Sequence, residues 1–513
     1  MIPTRFLATL STALLLSAPV LPLQADVSLP AIFGDHMVLQ QGIKLPVWGK
    51  AAPGEAVSVV VGSSTGKTTA DNDGKWRVEL PALSTDSQPV TLTATGKNTV
   101  TVNDVLVGDV WICSGQSNME FSLGRGKPLG GAHNAATVVP AANDPELRFF
   151  VVAHNFALDP LSDVSGHWEV CTPTSAATFS AVGYFFGSEL RQTTKCPVGL
   201  IGTYWGGTLA QCWTSLDGLK KAPEIQHYAK EFEVLKSRVL AAHPDGLTFP
   251  PNKVMPRPGF GTALYNAMLA PLIPYGIKGV IWYHGESNER NAAEYRFLLP
   301  GLISDWREKW GQGDFPFLFV QLASCNRRIP SWPYLREAQL KALSLPNTGM
   351  ASAVDVGNPG NIHPLDKADV GHRLALAARH VAYGENLVYS GPIYDAMKAD
   401  KSAIRITFTQ LGSGLIIGQA PWVPAGLQPL PTDKLLGFTI AGDDKKFVPA
   451  DARIEGNAVI VSSPDVSTPV AVRYAWANAP QGNLYNHENL PASPFRTDDW
   501  SDPAMGRIIT TAN

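Results

Sequence analysis

Hydrophobic and polar positions change rhythm twice along this chain. Between residues 26 and 104 they alternate in period two, in runs such as KLPVWGKA, AVSVVVG, KWRVELP and PVTLTATG, separated by Gly, Asp-Gly and Pro turns. Successive side chains of a strand point to opposite faces, so this rhythm predicts the half-buried strands of a small β-sandwich. From about residue 105 to 390 the alternation gives way to short unbroken apolar runs: VGDVWIC, VGLIGTYWG, IKGVIWYHG, FPFLFVQLA and GMASAVDVG. Between them lie helical patterns such as FSAVGYFFGSELRQT. All-apolar strands interleaved with helices predict an α/β domain whose parallel sheet is covered on both faces. Beyond about 390 period two returns in SAIRITFTQ, NAVIVSSP and PVAVRYAWA. The expected organisation is a leader over 1–25, a β-sandwich domain over 26–104, the parallel-sheet domain over 105–390 and a β-rich region over 391–513. Whether the two β regions form one unit or two is left open by the pattern.

Composition narrows the partners. The 513 residues are 45% hydrophobic and 17% charged, with a formal charge of only −3 and no basic cluster or acidic tail. That balance argues against nucleic acid or an anionic membrane surface and favours a neutral partner such as carbohydrate. The first 25 residues read as a secretory signal: Arg5, an apolar run broken by Pro19 and Pro22, and a small-residue cleavage site after Ala25. The expected location is secreted or periplasmic, with no membrane attachment once the signal is cleaved. Of five cysteines, Cys171 and Cys196 are the candidates for a disulfide, while Cys113 and Cys212 read as buried free thiols. No cysteine spacing suits structural zinc. The stretch GSSTGKT imitates a phosphate-binding loop, but its first glycine is one residue too close and no helix follows, so it reads as a hairpin turn. The Pro-rich stretch 243–261 reads as a long loop, a candidate lid.

Each suspicious polar motif falls at the carboxyl end of a predicted parallel strand, where ligand sites form in such sheets. Ser117, in CSGQSNME, follows the first strand; a serine on a strand-to-helix turn is either a nucleophile or a helix N-cap. Gly206 and Gly207 follow the second and can offer backbone N–H groups to a developing negative charge. His284, Glu286 and Asn288 close the third. His363 precedes Pro364, so it sits in extended backbone just outside a helix, placed to take a serine proton near neutrality. His372 and His380 read as packing or surface residues of that helix. A metal reading of His363, Asp369 and His372 fits no usual ligand spacing.

Taken together, GDVWICSGQSNME, YWGGT, LYNAMLAPLIPYGIKGVIWYHGESN, IHPLDKADVGHRLALAAR and AVRYAWANAPQGNLYNHENLPASPFRTDDW resemble the sialate O-acetylesterase family, within the SGNH/GDSL-like carbohydrate esterases. The resemblance spans nearly the whole chain after residue 25. It implies an SGNH-type, flavodoxin-like parallel-sheet core flanked by β-sandwich or jelly-roll-like domains. It also implies hydrolysis of acetyl esters on sugar hydroxyls through a serine acyl-enzyme, releasing acetate without cofactor or metal. Carried onto matching positions, Ser117 is the nucleophile, His363 the general base and Gly206–Gly207 the second oxyanion element. Gln116, Asn118, His284 and Glu286 are the other oxyanion or substrate-binding candidates. Two departures stand out. His284 replaces the Gln many relatives carry, so an imidazole N–H would serve the oxyanion. Asn361 and Gly360 occupy the positions where a triad Asp is expected, leaving a Ser–His dyad steadied by a backbone carbonyl, or a carboxylate borrowed from Asp355 or Asp366. The substrate is either O-acetyl sialic acid or acetylated hemicellulose such as xylan or xyloglucan. Candidates to hold a sialate carboxylate are Arg125, Lys127, Arg257, Arg290, Arg327 and Arg328. Trp205, Trp213, Tyr283 and Trp332 are the aromatics expected to meet a polymer. A different class also fits the motif changes: a non-catalytic carbohydrate-binding protein with an inactive SGNH core. Oligomeric state is not legible.

Overall fold

The computed structural model describes residues 26–85, 88–124, 129–242 and 259–500. The expected signal sequence, Arg125, Lys127, Arg257 and most of the 243–261 loop lie outside the described residues.

The core is a mixed sheet built from β1 (Thr99–Gly115), β2 (Asp144–Val151), β3 (Trp168–Cys171), β4 (Val198–Tyr204), β5 (Gly279–Tyr283), β6 (Phe317–Gln321) and β7 (Thr348–Ser352). Their spatial order is β7-β6-β5-β1-β4-β2-β3. All neighbours are parallel except the edge pair β2–β3. β4 and β5 lie on either side of β1, so the chain reverses its direction of travel across the sheet there. Loops leaving the strand ends diverge at such a point and open a crevice.

β1 explains the first change of rhythm. Its opening residues alternate in burial, and from Val105 onward every residue is buried. The alternating half pairs with Val90–Thr95, and Val38–Gln40 pairs with Leu106–Gly108, so the N-terminal strands continue directly into the core sheet. A second antiparallel pair, Leu45–Lys50 with Lys75–Leu80, completes this region. The GSSTGKT stretch is a hairpin: Val61 pairs with Ser64, and Gly62 at φ 55° makes the turn.

Helices cover both faces. On β1, Trp111 and Cys113 point toward α1 (Ala181–Thr194), where Trp111 meets Phe186 and Cys113 lies beneath Gly183. Ser114 points the other way, as does its register partner Trp282, which packs on Trp306 of α2 (Ala292–Trp310). α1 begins at an N-cap, with the Ser180 hydroxyl accepting the Gly183 N–H. α3 (Ala368–Val381) packs beside α1 and over β6 and β7.

The C-terminal strands are all antiparallel. Their buried side chains, from Ile404 to Phe495, form a hydrophobic cluster separate from the larger one that joins the N-terminal strands to the core. Polar ties fasten this region to the sheet domain, among them Gln321 to Ser493 and Arg336 to the carbonyls of Ala477 and Asn478.

The disulfide expectation is corrected. All five cysteines are free and buried. Cys171 lies on β3 while Cys196 leads into β4, and β2 runs between those strands. Two strand spacings come to about 9–10 Å, beyond the ~7 Å between Cα atoms that a disulfide can bridge. Among the described residues no helix is long and apolar enough to cross a membrane.

Candidate active site

The carboxyl ends of β1, β4 and β5 are flush, for Gly115 is the register partner of both Tyr204 and Tyr283. The loops leaving these three strands therefore start from one place. Gly115 sits at φ 136°, and a Cβ there would lie 2.2 Å from the Tyr283 carbonyl oxygen, so glycine alone lets the chain turn so close to β5. The turn delivers Ser117 as the first residue of a single helical turn, Ser117–Glu120. Gln116 is the N-cap and its side chain makes no capping bond. The N-cap reading of Ser117 is thereby set aside.

Ser117 is nearly buried, and its Oγ lies 2.9 Å from Nε2 of His363. The loop after β7 carries His363, whose backbone N–H is held by the Asn361 side chain. Burial, with the nearby Lys367 ammonium adding to it, keeps the imidazole below its ordinary pKa, so it stays unprotonated near neutrality. A neutral imidazole nitrogen on a serine hydroxyl can take that proton. Both residues line a cleft of about 520 Å³, together with Gly206, Gly207, Gln116 and Glu286.

Among the described residues the backbone N–H groups of Ser117 and Gly207 have no protein partner. Gly206 differs: its N–H donates to Oε2 of Glu120 at 2.6 Å. Glu120 also stands 3.5 Å from His154, whose ring stacks on Trp205 at 4.3 Å and 5°. Glu120 and His154 both line the cleft, and the sequence motifs do not single them out. Glu120 falls three residues after Ser117, on the same face of a helical turn, and that spacing is the available signal.

His284 does not reach the cleft, and its expected oxyanion role is corrected. It is fully buried, its Nε2 donates to the Thr208 carbonyl at 2.9 Å, and its Nδ1 faces the Tyr295 hydroxyl at 3.3 Å. Burial pushes its pKa down to about 3. The residue fastens the turn that comes after Gly207. Asn288 likewise serves the scaffold, accepting from the Ala210 N–H and donating to Gln211.

Neither proposed third carboxylate touches His363 among the described contacts. Asp355 is locked in a two-pronged ion pair with Arg373, at 2.6 and 2.8 Å, and accepts from the Tyr485 hydroxyl. Asp366 accepts the Asp369 N–H and lies 3.9 Å from His133. Burial, then the adjoining Asp369, pushes its pKa well up. Asn118 is the group that stands behind the Ser–His pair instead. Its Nδ2 donates to Oε1 of Glu286 at 2.6 Å and to the Ile362 carbonyl at 3.0 Å, while its Oδ1 accepts from Nζ of Lys367 at 2.5 Å. Lys367 also escapes a reading of the sequence, because nothing there marks a lysine as buried. Gln116 turns toward the third strand's loop, accepting the Ser287 N–H.

Of the aromatics expected to meet substrate, Trp205 alone lines the cleft; Trp213, Tyr283 and Trp332 are buried in the core. Arg290 and Arg327 also line the cleft, Arg327 paired with Glu289 and Arg290 exposed. His372 pairs with Glu189 rather than joining His363.

Comparison with known proteins identifies relatives of the whole chain. A family model described as carbohydrate esterase, sialic acid-specific acetylesterase, matches residues 253–380. The sialate O-acetylesterase of Mus musculus is 32% identical over 90% of this chain and 92% of its own length. That of Homo sapiens is 31% identical, over 90% of each chain. The crystal structure of a carbohydrate acetylesterase from Xanthomonas citri superposes with a TM-score of 0.80 and 39% identity, covering 92% of this chain and all of that one.

Proposed function

The chain belongs to the sialate O-acetylesterase family of carbohydrate esterases, and from that premise we propose that it is an exported serine esterase that removes acetyl groups from sugar hydroxyls. The observation that carries the mechanism is the 2.9 Å contact between Ser117 Oγ and His363 Nε2 in an open cleft at the strand ends.

His363 takes the serine proton as Oγ attacks the acetyl carbonyl. The oxyanion that forms is held by the N–H groups of Ser117 and Gly207, which have no protein partner among the described residues; Gly206 is engaged by Glu120. One such donor typically lowers the barrier by about 3–4 kcal/mol. His363 then returns the proton to the departing sugar oxygen, and water, activated by the same imidazole, releases acetate from Ser117. No metal or cofactor enters these steps. The signal-like pattern of residues 1–25 (Arg5, the apolar run, the small-residue site at Ala25) supports the export part of this reading.

Two substrate classes divide the cleft's features. O-acetyl sialic acid would present a carboxylate to Arg290 or Arg327, and an acetylated hemicellulose would lay a sugar face on Trp205. Acetate release from 9-O-acetyl sialic acid, acetylated xylan and acetylated xyloglucan, wild type against Ser117→Ala, tests the proposal. Release abolished by the substitution, with the fold intact, supports the serine mechanism, and the preferred substrate assigns the class. Undiminished release by Ser117→Ala would refute the mechanism. Sugar binding without release from any of the three would favour the non-catalytic reading.

A further inference from the structure

A serine–histidine pair needs something to hold the imidazole, and here no carboxylate does so among the described residues. The loop that carries His363 is instead gripped at both ends by one side chain. Asn118, next to Ser117, donates to the Ile362 carbonyl, the residue just before His363. The same amide accepts from Lys367, four residues after it, at the entrance to α3. Its remaining N–H goes to Glu286 on the loop after β5. These three acceptor and donor roles fix which way the amide points, since only its nitrogen can serve both Glu286 and Ile362.

Lys367 is fully buried, its ammonium lying over the rings of Phe121 (4.8 Å) and Tyr283 (5.5 Å). A lysine is rarely buried so completely without a partner to justify the desolvation, and the only hydrogen bond of its ammonium among the described residues is to Asn118. Its countercharge, Glu286, sits beyond that amide, also buried. The ammonium is thus placed to influence the site rather than to join a surface ion pair.

We propose that Lys367 is a positioning residue: bridged to Glu286 through Asn118, it clamps the 362–367 loop onto the Ser117 turn and sets a positive charge behind the His363 imidazole. This rests on the reading of Ser117 and His363 as nucleophile and base. The clamp does by tethering what a triad carboxylate does by direct contact. The charge acts in the opposite sense to a carboxylate, disfavouring the imidazolium and keeping the base available at lower pH. Burial and this ammonium both hold the His363 pKa down, and Lys367, itself lowered to about 7 by burial, is charged over the acidic range where His363 titrates. Glu286 and Asp366 face Lys367, and Glu120, Glu289, Arg290 and Arg327 line the cleft with His363. Replacing Lys367 alters none of these residues, but it removes a charge that lowers the Glu286 pKa, so Glu286 protonates more readily in the variants.

The test compares Lys367→Met and Lys367→Gln with wild type by kcat, KM and the pH profile of kcat/KM, with folding checked by thermal melting. Lys367→Met removes tether and charge. Its kcat falls about ten- to a hundredfold with KM little changed, as expected for a displaced catalytic group. Its acid limb moves up by about half a pH unit or more as the repulsion disappears. Lys367→Gln retains a donor for Asn118 and lacks the charge, so it recovers kcat relative to Lys367→Met while showing the same upward limb. An unmoved limb in both variants, or a limb moved downward, overturns the charge role; unchanged kcat in Lys367→Met overturns the clamp. Should Lys367→Met not fold, Lys367→Gln alone decides the charge role. If Ser117→Ala and His363→Ala retain activity, the underlying mechanism fails instead, which keeps the two failures separate.

Discussion

Asp355→Asn separates a structural carboxylate from a catalytic one. Asp355 is one of the two residues from which the missing triad acid could be borrowed. In the structure its side chain is 3% exposed, and that of its partner Arg373 is 4% exposed, joined by two hydrogen bonds of 2.6 and 2.8 Å. It also accepts from Tyr485, in the C-terminal strands, at 3.1 Å. Removing one member of a buried pair leaves the other charge uncompensated, at a cost of about 3–5 kcal/mol. Against a typical total stability of roughly 5–15 kcal/mol, that is a large fraction. The two bonds from Arg373 cannot both be made to an amide, since one of its two terminal atoms is a donor. Nothing in this arrangement reaches the His363 ring, so the folded fraction should retain kcat/KM within about tenfold. A true triad Asp replaced by Asn costs about 10⁴ in kcat. The assay pairs urea unfolding, monitored by tryptophan fluorescence, with acetate release normalised to titrated active sites. A loss of 10³-fold or more per active site with unchanged stability would refute the assignment and restore Asp355 to the catalytic group.

The same geometry carries two further outcomes. Gly115→Ala should abolish soluble, active protein, because its Cβ would meet the Tyr283 backbone 2.2 Å away at a φ of 136° that alanine avoids; wild-type melting and activity would contradict it. His284, held neutral in the fold with a pKa of about 3, takes a proton in the unfolded chain below about pH 6.5, so the unfolded state gains protons the native state does not. Stability therefore falls as pH drops below 6.5, by about 2 kcal/mol at pH 5 from this residue alone. His284→Gln, which keeps a donor for the Thr208 carbonyl, should lessen the difference in urea stability between pH 7.5 and pH 5 by about that much; an undiminished difference would count against the assignment.

Much of this protein is legible in one dimension because local rhythm reports burial. The alternating strands before residue 105, the unbroken apolar runs after it and the return of alternation past 390 each record which faces of a strand are covered. Ser117, Gly206, Gly207, Glu286 and His363 could be singled out because parallel strands deliver their carboxyl-end loops to one edge, whatever the details of packing. Only the tertiary structure decided the facts that depend on side-chain direction and on partners far away in the chain. Whether His284 faces cleft or core turns on the backbone path at the end of β5. That Asp355 serves Arg373 and Tyr485, and not His363, depends on three segments meeting. The interposition of β2 between Cys171 and Cys196 is a matter of strand order, which spacing along the chain does not encode. Lys367, a surface residue by type, is interior here because Asn118, 249 positions away, accepts its hydrogen bond. Periodicity is local and survives projection onto the sequence; pairing between distant polar groups does not.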